Sequence, residues 1–441
     1  MTLHRLGIIE ALAAIADGRI AAGDYLESCI ARTLAVEPRV GAFAHFDPDA
    51  VRASAATVAP TGALRAMPVG IKDIIATRGI PTEMGSAAFR GHVPERSAWV
   101  IDALAGASAL MFGKTVTTEF AWRHPGRTRN PWNLAHSPGG SSSGSAAAVA
   151  CGCVPAALGT QTLGSVLRPA AYCGVVGYKP SYGAIPRTGV YPLAHSLDHI
   201  GVFARSVVDT ALVASVLYGS DGIDLPDAPR PGSGWPLAPL AAPPRVALLR
   251  TSAWHRASPE QQALVEAVAD RLRAAGASVT DVDLPPSFDA VWAIARTLCD
   301  AEGAVSNGAL ARERPPRIST PTLELVARGD ALTAPDYLRA KDAQHALMRE
   351  FASIMATFDA ALTAPATGGA PEGLADTGDA LFCTPFSLLG TPAIAIPAGA
   401  TAGGLPLGVQ LAGRRGDDRR LLETAAWVER EIGWVQGFPL Q

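Results

Sequence analysis

The chain lacks any run of about 20 residues free of charge, proline and glycine, which predicts that it does not span a membrane. Its first residues, Met1-Thr2-Leu3-His4-Arg5-Leu6, lead into a segment that Glu10 and Asp17 interrupt too early for a signal-peptide core. Blocks of like charge are absent as well. The net charge is −3 over 441 residues, so nothing selects nucleic acid or an anionic membrane as a partner. Cysteine is scarce and unpatterned: Cys29, Cys151, Cys153, Cys173, Cys299 and Cys383 show no metal-ligand spacing. Cys151-Gly152-Cys153 is C-x-C, without the C-x-x-C pair or the histidine cluster that a metal site would bring. Reduced, buried thiols in a cytoplasmic protein are the expectation, with no metal. Internal repeats are missing too.

What is present is an ordinary hydrophobic content, 48%, in a chain long enough for several average domains or for one large α/β core. Apolar residues at helical spacing predict a pair of N-terminal helices over 6–17 and 24–36. Met67 to Ile75 reads as a buried strand interrupted by Lys72. A helix over 97–106 precedes a strand at Ala109-Leu110-Met111-Phe112. Further on, strand 245–249, helix 258–275 and strand 277–282 form a βαβ pattern, which implies parallel pairing. Residues 219–243, rich in Pro, Gly and Asp, read as a surface connection, and 365–379 as a loop. Short strands at 393–396 and 407–411 and a helix over 417–431 complete a reading of one large α/β unit with a helical appendage over about 1–60.

A Gly/Ser-rich segment runs from Gly139-Gly140-Ser141-Ser142-Ser143-Gly144-Ser145 to Gly164-Ser165. Between the serines lie Ala146 to Ala150 and Pro155 to Thr160, predicting a loop, a short buried helix, a buried strand and a second loop ending at Ser165. Small residues on both loops let backbone amides approach a ligand closely, as an oxyanion site requires. Three patterns compete for the chemistry. Gly140-Ser141-Ser142-Ser143-Gly144 matches the G-x-S-x-G nucleophile elbow, with His195 and His199 downstream. The elbow requires a strand before its glycine, and Arg129 to Pro138 reads as loop, which argues against it. Gly113-Lys114-Thr115 resembles a phosphate loop but has Ser108 where the pattern needs glycine, so Lys114 is expected at a surface or strand end. The third pattern is Lys72 with Ser141 and Ser165. A lysine inside an apolar strand is costly unless paired or neutral. Pairing with the adjacent Asp73 is the structural alternative, and turn formation is the alternative for the serines. Spacing alone leaves these alternatives open.

Gly139 to Ala150 continuing through Gly164-Ser165-Val166-Leu167-Arg168-Pro169-Ala170 resembles the amidase signature. Val69-Gly70-Ile71-Lys72-Asp73 resembles that family's lysine strand. Thr118 to Ala121, Thr128 to Asn133, Cys173 to Ser181, Gly390 to Ala393 and Leu407 to Gln410 extend the similarity over nearly the whole chain. The resemblance implies a single amidase domain over 1–441, with a central mixed β-sheet covered by helices on both faces. It implies a cofactor-free enzyme acting on a small-molecule amide, with a homodimer as a possible assembly. Carried over by position, Lys72 is the base, Ser141 the bridging serine and Ser165 the nucleophile. The backbone N–H groups of Thr162, Leu163, Gly164 and Ser165 form the oxyanion hole.

Two positions depart from the usual pattern. Leu163 stands where the family usually has glycine, either narrowing the pocket with an apolar side chain or reshaping the hole. Arg168 sits three residues after Ser165, an order similar to malonamidase-like members, where this arginine binds a substrate carboxylate. A guanidinium suits that task by its bidentate fork; a structural ion pair beneath the loop is the alternative. The leading reading is therefore an amidohydrolase for a small, carboxylate-bearing amide. A urea-derivative or carbamate hydrolase, the amidase subunit of a tRNA-dependent amidotransferase and a catalytically silent scaffold are the alternatives.

Overall fold

In the computed structural model, residues 2–59, 61–224, 236–434 and 437–440 are described. Eleven strands form one mixed sheet: β1 (Phe43–His45), β2 (Pro68–Lys72), β3 (Leu110–Thr115), β4 (Ala156–Gln161), β5 (Val176–Lys179), β6 (His199–Ala204), β7 (Arg245–Leu249), β8 (Ser278–Val282), β9 (Ala360–Thr363), β10 (Ala393–Ala400) and β11 (Pro406–Ala412). Their spatial order is β1-β3-β2-β4-β6-β5-β10-β11-β9-β7-β8. Parallel pairs join β2 to β3 and β4, and β7 to β8 and β9. The expected βαβ unit is present, with helix Pro259–Ala274 crossing from β7 to β8. Helices flank the sheet, which gives the α/β class.

The N-terminal helices span Ile8–Ala16 and Ala22–Val40. The proline- and glycine-rich connection falls partly outside the described residues, at 225–235. A helical group that the sequence patterning does not reveal, Val291–Glu313, Thr320–Asp330 and Ala334–Ile354, packs together beside the site.

The centre of the sheet positions the Gly/Ser segment. Strand β4, Ala-Ala-Leu-Gly-Thr-Gln, is buried along its whole length, as strands covered on both faces are. Helix Ser143–Cys151 is made of small residues, all buried, so it lies tightly on its neighbours. A Cβ on Gly144 would stand 2.1 Å from the Ala42 carbonyl oxygen and 2.3 Å from the Val116 nitrogen. The Gly144 amide donates to the Val116 carbonyl at 2.9 Å. Glycine here is a condition of the close approach that brings Ser141 under the sheet end. All six cysteines are free and buried. Among the described residues, no helix is long and apolar enough to cross a membrane.

Candidate active site

Lys72 ends β2 with its side chain wholly buried. Its Nζ donates to Ser141 Oγ at 2.7 Å and to Thr160 Oγ1 at 2.8 Å. Among the described residues it forms no ion pair. Burial holds the Lys72 ammonium well below the usual lysine range, and the charge of Asp198 opposes this more weakly. The result is an amine held between two hydroxyls, free to be neutral.

The alternative partner, Asp73, is engaged elsewhere. Successive side chains along a strand point to opposite faces, so Lys72 and Asp73 diverge. The buried Lys114 takes the Asp73 side, with Nζ 3.8 Å from Asp73 Oδ1. Lys114 also donates to the Ile75 carbonyl at 2.6 Å, to Thr82 Oγ1 at 2.7 Å and to Thr77 Oγ1 at 3.2 Å. The expectation of a surface Lys114 is thus corrected: it stands near the end of β3, fully buried. Burial lowers its pKa to about 8, and burial raises that of Asp73 to about 6.

No strand precedes Gly140, so the nucleophile-elbow geometry is absent. His199 is buried in β6, where Nδ1 donates to the Leu197 carbonyl at 2.6 Å, and burial holds its pKa well below the usual value. His195 is exposed, and neither histidine bonds a serine of the segment. Ser141 follows a cis Gly140–Ser141 peptide and is buried.

Ser165 lies beyond β4, in a cavity of about 380 Å³ lined also by Thr162, Leu163, Gly164 and Arg168. Its hydroxyl has no hydrogen-bond partner among the described residues, including Ser141. Catalytic hydrogen bonds often tighten only around substrate. The amides of Leu163, Gly164 and Ser165 likewise donate to no group among the described residues, whereas the next two amides are taken. Gln161 Oε1 accepts from Val166 N at 2.8 Å and from Leu167 N at 3.0 Å, and its Nε2 donates to Ser387 Oγ at 2.9 Å. Ser387 Oγ in turn donates to the Leu163 carbonyl at 2.7 Å. With that carbonyl held, the loop amides from Leu163 to Ser165 stay available. Gln161, Ser387 and Thr160 carried no signal in the sequence; their roles come from partners more than two hundred residues away or on a neighbouring strand.

Arg168 is buried on helix Leu167–Cys173. Its Nη2 donates to the Gly140 carbonyl at 2.6 Å and to Thr377 Oγ1 at 3.2 Å, while Nε has no partner. It forms no ion pair among the described residues; instead it grips the peptide that carries Ser141. Leu163 is half-buried on the cavity wall with its peptide groups intact.

A buried lysine on two hydroxyls, beside a serine on a loop of free amides, can deprotonate a nucleophile and receive an oxyanion. The Amidase family model matches residues 24–422. The chain is 35% identical to the corresponding subunit of glutamyl-tRNA(Gln) amidotransferase from Anaeromyxobacter sp. (strain K), over 98% of this chain and 97% of that protein. It superposes on 6-aminohexanoate cyclic dimer hydrolase complexed with substrate at a TM-score of 0.89 and 27% identity, covering 100% of this chain and 99% of the other. The same glutamyl-tRNA(Gln) amidotransferase subunit from Thermotoga maritima, in its crystal structure, matches at a TM-score of 0.82 and 28% identity, with 99% and 98% covered. The chain therefore belongs to the Amidase family, enzymes that act on the C–N bond of amides.

Proposed function

We propose that this chain is an amidohydrolase that cleaves a small amide through an acyl-enzyme on Ser165, with Ser141 passing protons to and from Lys72. Neutral Lys72 takes the Ser141 proton while Ser141 takes that of Ser165, and Ser165 Oγ attacks the carbonyl carbon. The amides of Thr162, Leu163, Gly164 and Ser165 receive the oxyanion; each such donor is worth roughly 100- to 1,000-fold in rate. Collapse breaks the C–N bond as the nitrogen takes a proton from Ser141, which Lys72 replenishes. Water, deprotonated along the same route, then opens the ester, releases the carboxylic acid and restores the Ser165 hydroxyl.

The observation that carries this reading is Lys72 Nζ: fully buried, unpaired with any carboxylate among the described residues and hydrogen-bonded to two hydroxyls at 2.7 and 2.8 Å. Neutral amine is the form such an enclosure favours. Arg168 keeps Nε free at the cavity, where Arg123 and Arg296 also stand, which suits a substrate bearing a carboxylate. Residues 1–441 are read as one cytoplasmic amidase domain. Leu34, 55% exposed on helix Ala22–Val40, suits a homodimer contact at the N-terminal helices.

The test is amine and ammonia release over small amides, dicarboxylic monoamides and ureido acids, with Ser165→Ala as control. Turnover lost in that variant, together with fluorophosphonate labelling of Ser165 in the parent, is expected. No turnover and no labelling would favour a silent scaffold. A second reading, the amidase subunit of a tRNA-dependent amidotransferase, is favoured by the 35% identity to a protein of that kind. It predicts weak glutaminase activity alone and co-purification with partner subunits.

A further inference from the structure

A second cavity, of about 290 Å³, opens on the other side of the catalytic lysine. It is lined by Thr160, the hydroxyl that shares Lys72 with Ser141, and it meets the Ser165 cavity along Ala121 and Leu193. The two cavities differ in character. The Ser165 side carries Arg123, Arg168, Arg296, Asp376 and Asp379. The Thr160 side presents hydrocarbon and ring surface from Ile74, Val190, Tyr191 and Leu193.

The charged groups around this second cavity are already engaged within the protein. Arg187 is paired with both oxygens of Asp224, at 2.7 and 2.9 Å. Asp198 accepts from Thr162 Oγ1 at 2.6 Å and from the amides of Leu193 and Ala194 at 2.8 and 3.0 Å. His199 spends its N–H on the Leu197 carbonyl. No charge is left to call for an ionic ligand, so the space fits an apolar group.

Its place in the reaction follows from where the proton goes. In acyl transfer the oxygen points to the oxyanion donors, and the leaving nitrogen lies beside the group that protonates it. The amides after Thr162 belong to the polar cavity. Ser141, Lys72 and Thr160 form the proton side, and Thr160 lines the apolar cavity. We propose that the apolar cavity holds the amine half of the substrate: the enzyme prefers secondary amides whose nitrogen carries an alkyl or aryl group, and releases an apolar amine rather than ammonia. This rests on the acyl-enzyme reading above and adds the substrate class.

The experiment compares primary and N-benzyl amides of three acyl groups: acetyl, propionyl and succinyl (succinamic acid against N-benzylsuccinamic acid). The N-benzyl members are expected to show at least tenfold higher kcat/KM than their primary partners. Val190→Trp, which fills the cavity away from the reacting atoms, is expected to raise KM for N-benzyl amides at least tenfold and to leave primary amides within twofold. Ile223→Arg, at a mouth position 75% exposed, should raise the same KM several-fold without touching the core, so a misfolded Val190 variant does not end the test. Hydrolysis of primary amides alone, or an equal effect of Ile223→Arg on both classes, overturns the inference while the amidohydrolase reading stands. Labelling of Ser165 by a fluorophosphonate with no hydrolysis of either class also overturns it. Absence of both labelling and hydrolysis removes the acyl-enzyme reading itself, and this inference with it.

Discussion

Lys72→Met separates two properties that a single buried amine confers. The variant keeps an unbranched side chain of similar length in a site with no carboxylate partner. Removing a general base costs about 10²- to 10⁴-fold in rate, so kcat/KM for the best amide should fall within that range or below. Stability should move the other way. The folded chain holds the Lys72 pKa below the ordinary 10.5, so between the folded pKa and 10.5 the unfolded chain binds a proton that the folded chain does not. Folding stability in the parent therefore falls as pH drops through that window, by about 1.4 kcal/mol per pH unit, and levels off below the folded pKa. Methionine has no such dependence. It forfeits two hydrogen bonds, worth about 1 kcal/mol each, and this loss is constant with pH. The stability of Lys72→Met relative to the parent should thus improve by about 1.4 kcal/mol for each unit the pH falls from 10. At about 2 cal/mol/K per residue over 441 residues, that is roughly 1.5 °C in Tm per pH unit. Differential scanning calorimetry at pH 10, 9, 8 and 7 reads it, and every other titrating group cancels between the two proteins. A gap in Tm that stays constant with pH would refute the buried neutral amine. Activity within tenfold of the parent would refute its role as base.

Gln161→Leu removes the acceptor that orders the Val166 and Leu167 amides and the donor to Ser387. We expect kcat to fall roughly 10- to 100-fold, by analogy with lost supporting hydrogen bonds around ligating groups, with KM changed less than threefold and fluorophosphonate labelling slowed. Unchanged kcat would show that the loop holds itself. Lys114→Met leaves Asp73 buried without a cation, and breaking such a pair costs about 3–5 kcal/mol. A chemical-denaturation midpoint unmoved by the change would contradict the pairing. For Arg168→Ala, loss of the grip on the Gly140 carbonyl should lower kcat for every amide, while a carboxylate contact would raise KM for acidic amides alone. KM rising equally for neutral and acidic amides rules out selective carboxylate recognition.

Much of the fold is legible in the sequence because its signals are local. The β7–helix–β8 unit declares itself by a five-residue apolar strand, a helical stripe and a second strand. The loop–helix–strand order of the Gly/Ser segment follows from the small residues between its two serines. Other strands give no such signal. Strand β6, His-Ile-Gly-Val-Phe-Ala, is short and buried along its whole length, and its Gly201 is required by packing: a Cβ there would lie 2.6 Å from Val166 Cγ2. Such a glycine reads as a breaker until its neighbour is known. The site divides in the same way. The residue types for acyl transfer are readable, but the partners that hold them, Thr160, Gln161, Ser387 and Thr377, are set by strand pairing and by contacts distant in sequence.

Lys114 shows what the sheet adds. Lys72 and Lys114 lie on adjacent parallel strands, each near the strand end, and each follows apolar residues; one-dimensional reasoning treats them alike. The register separates them. Lys72 stands opposite Thr115, while Lys114 stands opposite Ile71. Alternation along the strands then sends the two ammonium groups to opposite faces. On one face Lys114 finds Asp73 and three oxygen acceptors, enough to keep its proton near neutral pH. On the other Lys72 finds two hydroxyls and, among the described residues, no carboxylate within ion-pair distance, an enclosure in which losing the proton is the cheaper state. Lys179 is also fully buried, and Lys341 is the chain's remaining lysine. Arginine supplies almost all of the surface cations, so lysine is kept where its pKa can be moved, an adjustment the guanidinium resists. The scarcity of lysine is legible in the sequence and draws the eye to Lys72, Lys114 and Lys179 alike, but only the register says which of them works with the serines.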